Sequence, residues 1–104
     1  MSQKPLHEAY SERAFKTILE TEWQLFEKNP ERGEAFCQEL DGVIEELLLF
    51  PELAPIVSKG YNIRRRILKR FKYGLLYVIR GDLLLITLFY HLEQNPPIWV
   101  DFSS

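Results

Sequence analysis

The sequence predicts an α+β fold: an N-terminal helix hairpin packed on a short antiparallel β-sheet meander. Two observations carry this. Apolar residues recur at a helical period through the first half of the chain and alternate at a strand period through the second. The breaks also fall where such a fold needs them: Asn29-Pro30, Pro51, Pro55 and Arg80-Gly81-Asp82. With 104 residues, 46% of them hydrophobic, residues 1–104 make one domain. A domain of that size buries a core without disulfides or metal.

Residues 6–10 read as a short edge strand. Ser11 followed by Glu12 is a helix start, a hydroxyl cap and then an acid at the positive end of the dipole. Phe15, Ile18, Leu19, Trp23 and Phe26 form an apolar stripe, with Glu20, Glu22 and Glu27 off it. The first helix therefore spans residues 11–28. Asn29-Pro30 breaks it.

The second helix follows at once. Phe36, Leu40, Val43, Ile44, Leu47 and Leu48 form its apolar stripe, and Glu34, Gln38, Glu39, Asp41, Glu45 and Glu46 its outer face. Pro51 ends it. The short link makes the two helices antiparallel neighbours.

Pro55 and Gly60 mark a loop. Residues 63–71 form a strand with Ile63, Arg65, Ile67 and Lys69 on one face, and Arg64, Arg66, Leu68 and Arg70 on the other. A second strand starts at Lys72-Tyr73 and runs to residue 79. Gly81 supplies the hairpin turn, and residues 83–91 form the third strand. The last two strands are apolar on both faces. Tyr73, Leu75, Tyr77 and Ile79 oppose Leu76 and Val78. Leu83, Leu85 and Phe89 oppose Leu84, Ile86, Leu88 and Tyr90. A helix hairpin covers one face only. The C-terminal segment, a second copy of the chain (a homodimer) or a partner protein is expected to cover part of the other.

The net charge of −2 hides an asymmetry. Residues 1–52 carry five Lys/Arg and twelve Asp/Glu, and residues 53–104 carry eight and three. Six of the nine residues from Arg64 to Lys72 are basic. A cationic strand this dense is costly unless something anionic uses it. Cys37 is the sole cysteine, so no disulfide framework or cysteine metal site is expected, and it reads as a small buried hydrophobe. The acidic helix face has no metal-ligand spacing. No apolar run is long enough to span a bilayer as a helix, and the N-terminus lacks the apolar core of a signal peptide. The expectation is a cytoplasmic protein with no cofactor and no membrane partner.

Several motifs in order resemble the ParE/RelE superfamily of bacterial toxins, which includes the plasmid stabilisation proteins of type II toxin–antitoxin systems. Asn29-Pro30 followed by Ala35-Phe36 and Leu40 is similar to that family's helix junction, and Leu47 with Pro51 to its helix end. Gly60, Arg64, Arg70 and Tyr73 are similar to its arginine-bearing strand, continued by Leu76-Tyr77-Val78. His91, Pro96 and Trp99 have the spacing of its C-terminal motif, but Gln94 stands where that motif has an arginine.

The resemblance implies a ParE-like toxin that inhibits a host target, DNA gyrase, by binding. It also implies a cognate antitoxin carrying an acidic and apolar segment. Arg64, Arg66, Lys69, Arg70, Lys72 and Trp99 are the candidate target- or antitoxin-binding residues. Two alternatives stay open. A RelE-like ribonuclease on the ribosome would hold phosphate with its basic residues and move a proton with Tyr90 or His91, Arg70 assisting. A homologue that has lost toxicity would bind only an antitoxin. Without the arginine at position 94, the binding mode is favoured over catalysis. Against these stand plainer roles: His91 as a hydrogen-bonded structural residue, Tyr73, Tyr77 and Trp99 as core edges, and the arginines paired with the acidic helices. If the face bearing Arg65 packs on the helices, Arg65 is structural, and Arg64 with Arg66 form the contact pair.

Overall fold

Ser11 marks the point where sheet gives way to helix. A computed structural model describes residues 6–93 of the chain. In order they form β1 (His7–Tyr10), α1 (Glu12–Lys28), α2 (Pro30–Leu49), β2 (Ile56–Ser58), β3 (Ile63–Ile67), β4 (Tyr73–Arg80) and β5 (Leu83–His91). The Ser11 side chain accepts from the Ala14 amide at 3.0 Å and so caps α1. The same hydroxyl donates to the Thr87 carbonyl at 2.8 Å, which ties the start of α1 to β5.

Asn29 serves both helices. Its amide donates to the Leu25 carbonyl and closes α1, and its side-chain oxygen accepts from Glu31 and opens α2. Pro30 then occupies the first turn, where its missing N–H costs nothing. One residue thus makes the hairpin.

The strands form one sheet in the order β1-β5-β4-β3-β2. The three-stranded meander β3 to β5 is antiparallel as expected, β2 adds a further antiparallel strand beside β3, and the edge strand β1 pairs parallel to β5. β2 was not expected: three residues after Pro55 are too few to establish a period. Gly81, with φ 60°, makes the β4–β5 turn.

A bulge between Leu76↔Leu88 and Tyr77↔Ile86 leaves Thr87 as the extra residue of β5. It shifts the phase of the strand. Leu84, Ile86 and Phe89 enter the core under the helices, and Leu88 and Tyr90 join Ile63, Leu76 and Val78 in a second cluster. This corrects the strict alternation, which grouped Leu88 and Tyr90 with Leu84 and Ile86.

Phe36 of α2 centres the helix-side core. Its ring is fully buried and meets Phe71, Tyr73 and Phe89 edge-on at 5.4, 6.0 and 5.8 Å. Replacing a ring so placed by alanine typically costs ~3–5 kcal/mol. The second cluster, on the opposite face, consists of strand residues with Val57, Leu85 and Leu92 packed against it.

Two further expectations are corrected. The stripe on α1 locates the helix but not its packed face: Ala14, Ile18 and Thr21 are buried, whereas Phe15, Leu19, Trp23 and Phe26 are exposed. The strand expected over residues 63–71 also stops early, with β3 ending at Ile67 rather than Phe71. Leu68 and Phe71 are both buried on the helix side, which a continuous strand does not permit for residues three apart. The freed amides of Lys69 and Arg70 donate instead to the Glu39 carboxylate of α2, at 2.8 and 3.0 Å. No helix among the described residues is long and apolar enough to cross a membrane.

Ser11→Ala removes a cap and leaves the Thr87 carbonyl without its donor. It is expected to lower stability by about 1–2 kcal/mol, read as a lower urea midpoint at unchanged slope. Lys16→Ala, on the exposed surface, should stay within ~0.5 kcal/mol of the parent. Equal midpoints for the two variants would mean that the Ser11 joint does not hold α1.

Candidate functional site

The cationic segment divides into three groups with different surroundings. Arg64 and Arg66 stand opposite Tyr77 and Leu75 in the register, on the helix side of the sheet. The Arg64 guanidinium donates to the carbonyls of Glu52 and Ala54 at 2.9 and 2.7 Å. The Tyr77 hydroxyl donates to the Pro51 carbonyl at 2.6 Å. Together they hold the chain as it leaves α2. Burial pushes the Tyr77 phenol above its usual range, while the charges of Arg64 and Arg66 pull it back. Arg66 pairs with Glu46 of α2.

Arg65 stands opposite Leu76 on the second face. The helix-packed face therefore carries Arg64 and Arg66, and the structural role expected for Arg65 passes to them. Both guanidinium groups are engaged within the chain, which is not what a free contact pair would show.

Lys69, Arg70 and Lys72 form the third group, in the link from β3 to β4. All three are exposed. Glu39 binds the amides of this link rather than its charged heads. Arg66–Glu46 is the ion pair found among the described residues, so these heads have no carboxylate partner there. Arg32 of α2 lies over the Phe71 ring at 5.2 Å and adds a fourth cation to this end of the sheet. No local pattern points to Arg32, which sits in the acidic half of the chain and meets the link only through the fold.

His91 lies at the same end, since the Leu92 amide donates to the Lys72 carbonyl. It faces its cross-strand partner Tyr73 edge-on at 5.0 Å, and its Nδ1 accepts from the Glu93 amide at 3.1 Å. Tyr73 in turn stacks on Phe89 at 4.8 Å. Tyr90 points to the other face, its ring lying across Gly74. A Cβ at position 74 would come within 2.9 Å of that ring. As consecutive strand residues, Tyr90 and His91 leave the backbone in opposite directions and do not converge on one substrate atom. Trp99, Pro96 and Gln94 lie outside the described residues.

The Cys37 thiol donates to the Glu22 carboxylate at 3.3 Å. Burial first, and Glu22 second, push the thiol up to about 11, so it is not a nucleophile at neutral pH. No group of three His, Cys, Asp or Glu that could hold a metal ion occurs among the described residues. The site presents exposed cations at one end of the sheet, beside an aromatic cluster.

No protein-family model matches the chain, and no curated protein matches it in sequence. Among solved structures, a chain of the chromosomal ParDE TA system from P. aeruginosa is similar to it with a TM-score of 0.69. The match covers 84% of this chain and 96% of that one at 13% identity. At that identity the likeness establishes the fold, and the fold is ParE-like.

Arg64→Ala should cost roughly 1–3 kcal/mol, because two carbonyls lose a charged donor. Arg66→Ala should cost less than about 1 kcal/mol, because its pair with Glu46 is part-exposed. Urea unfolding of both variants checks this, and an Arg64→Ala variant as stable as the parent would remove Arg64 from the scaffold. The thiol offers a pH test. Its raised pKa means that alkylation of Cys37 by iodoacetamide should be slow at pH 8 and keep rising about tenfold per pH unit through pH 10. A plateau near pH 9 would show a thiol at its ordinary value.

Proposed function

We propose that the chain is the toxin of a type II toxin–antitoxin pair, of the ParE kind, and that it inhibits a host target by binding rather than by turnover. The observation that carries this reading is the cluster of Lys69, Arg70, Lys72 and Arg32, cations without carboxylate partners among the described residues, on a ParE-like fold. Such a cluster suits an antitoxin segment that combines acidic residues with apolar anchors. The order of the sequence motifs supports DNA gyrase as the class of target. Arg64 and Arg66 then serve indirectly, by fixing the strand that leads into the link. Binding is favoured over a ribonuclease mechanism because Tyr90 and His91 diverge, and because Nδ1 of His91 is held by the backbone.

The test is inducible expression in a bacterial host, alone and with the adjacent small gene. Growth arrest relieved by co-expression, together with a stable complex of the two proteins, is the expected result. Replacing Lys69, Arg70 and Lys72 by alanine should weaken that complex at least ~10-fold while changing stability by less than about 0.5 kcal/mol. The affinity should also fall with added salt. Proteins that elute separately at micromolar concentration would defeat the proposal. A complex without growth arrest would leave only antitoxin binding. Codon-dependent cuts in ribosome-bound messenger RNA that vanish in Tyr90→Phe or His91→Ala would assign the chain to the ribonucleases.

A further inference from the structure

The packed face of α1 is made of small or modest residues, and its large ones face away. Phe15, Leu19, Trp23 and Phe26 are 51, 47, 67 and 41% exposed. Steps of four, four and three residues place them in one stripe along the helix. Scattered exposed apolar residues need no explanation, but these are contiguous. Together they offer on the order of 400 Å² of apolar surface, in the range of functional patches on small proteins. Leu19, Trp23 and Phe26 line a groove with Glu20, Glu22 and Gln24. The Phe26 ring lies against Gly33 of α2, which fixes one end of the stripe.

The charges around the stripe choose its occupant. On α1, Glu12, Glu20, Glu22 and Glu27 accompany the stripe with Arg13, Lys16 and Lys28, and the acidic excess of the hairpin comes chiefly from α2. Over residues 12–52 there are eleven acidic and four basic residues. A second copy docked face to face would bring two such acidic surfaces together. An acidic segment, a nucleic acid or an anionic lipid surface would be repelled in the same way. We propose that the α1 stripe is a docking surface for a basic amphipathic helix of a partner protein, its apolar residues at helical spacing against Phe15, Leu19, Trp23 and Phe26, and its Lys/Arg flanks against the glutamates. This surface lies on a different element from the cationic sheet end and has the opposite sign. It stands whether or not the toxin reading holds.

The test uses the full chain and two fluorescently labelled synthetic peptides of about 18 residues, long enough to cover α1. Both carry one leucine stripe at helical spacing; one has lysine flanks and the other glutamate flanks. Fluorescence anisotropy should show the lysine peptide binding and the glutamate peptide not binding. Leu19→Ala with Trp23→Ala should weaken the complex at least tenfold. Both side chains are exposed, and thermal melting checks that the fold is kept. Glu20→Lys with Glu27→Lys, which alters no buried residue, should weaken it comparably and reduce its salt dependence. Equal binding of the two peptides, no binding of the lysine peptide, or full affinity in either double variant would overturn the proposal. So would a dimer of the protein alone, seen by sedimentation equilibrium and abolished by Trp23→Ala, because the occupant would then be a second copy.

Discussion

The joint between Ser11 and Thr87 is the constraint on which the arrangement depends. The β1–β5 ladder ends at Tyr10↔Ile86, and the next residue of β5 is the one added by the bulge. Its carbonyl would lack a partner in the ladder, and leaving such a group unsatisfied costs about 1–3 kcal/mol. Ser11 supplies the donor, and the same oxygen accepts from the first turn of α1. One hydroxyl therefore ends the edge strand, starts the helix and fixes where α1 lies over β5. The phase shift at Thr87 sends Phe89 to Phe36 and Tyr73, and so locks α2 to the sheet as well.

The same geometry sorts the cations. Alternation along β3 puts Arg64 and Arg66 beneath the end of α2, where carbonyls and Glu46 receive them. A guanidinium suits this place because it stays charged while donating to several acceptors at once. Beyond Ile67 the strand ends, and alternation no longer dictates direction. There α2 supplies Glu39, whose two oxygens are taken by backbone amides. A carboxylate used in this way shapes the link without pairing its lysine and arginine heads. Among the described residues, the charges of the link are therefore left uncompensated.

Legibility in the sequence followed the strength of local signals. Both helices, the Asn29-Pro30 junction and the Gly81 hairpin were readable, because caps, proline and glycine act within a few residues. The face of the sheet that packs on the helices was not, since β3 offers apolar residues on either side. The bulge carries no signature either: Thr87 is an ordinary strand residue, and its effect appears only in the register with β4. The end of β3 was missed because Glu39, which holds the link, is thirty residues away in sequence. Arg32 escaped notice for the same reason. The fold class could be read because it sums many local preferences. The site could not, because it rests on a few long-range contacts.

The inward face of α1 shows what the fold gives up. Ala14 is fully buried, and Thr21 is buried with its hydroxyl bonded back to the Thr17 carbonyl at 2.8 Å. Ala14 and Thr21 bring the helix close to the sheet, and Ile18 with Leu25 supply most of the apolar area it buries. Leucines on that face, or a helix turned to bury Trp23, would gain roughly 1.5–3 kcal/mol per side chain. A domain of this size has a net stability of only about 5–15 kcal/mol. Leaving four large apolar side chains about half exposed thus forgoes part of the available burial. The Ser11 cap and the Asn29 junction fix the rotation of α1, so the stripe cannot reach the core by rolling the helix without breaking both. The exposure of the stripe is therefore a consequence of the joints that hold α1 in place.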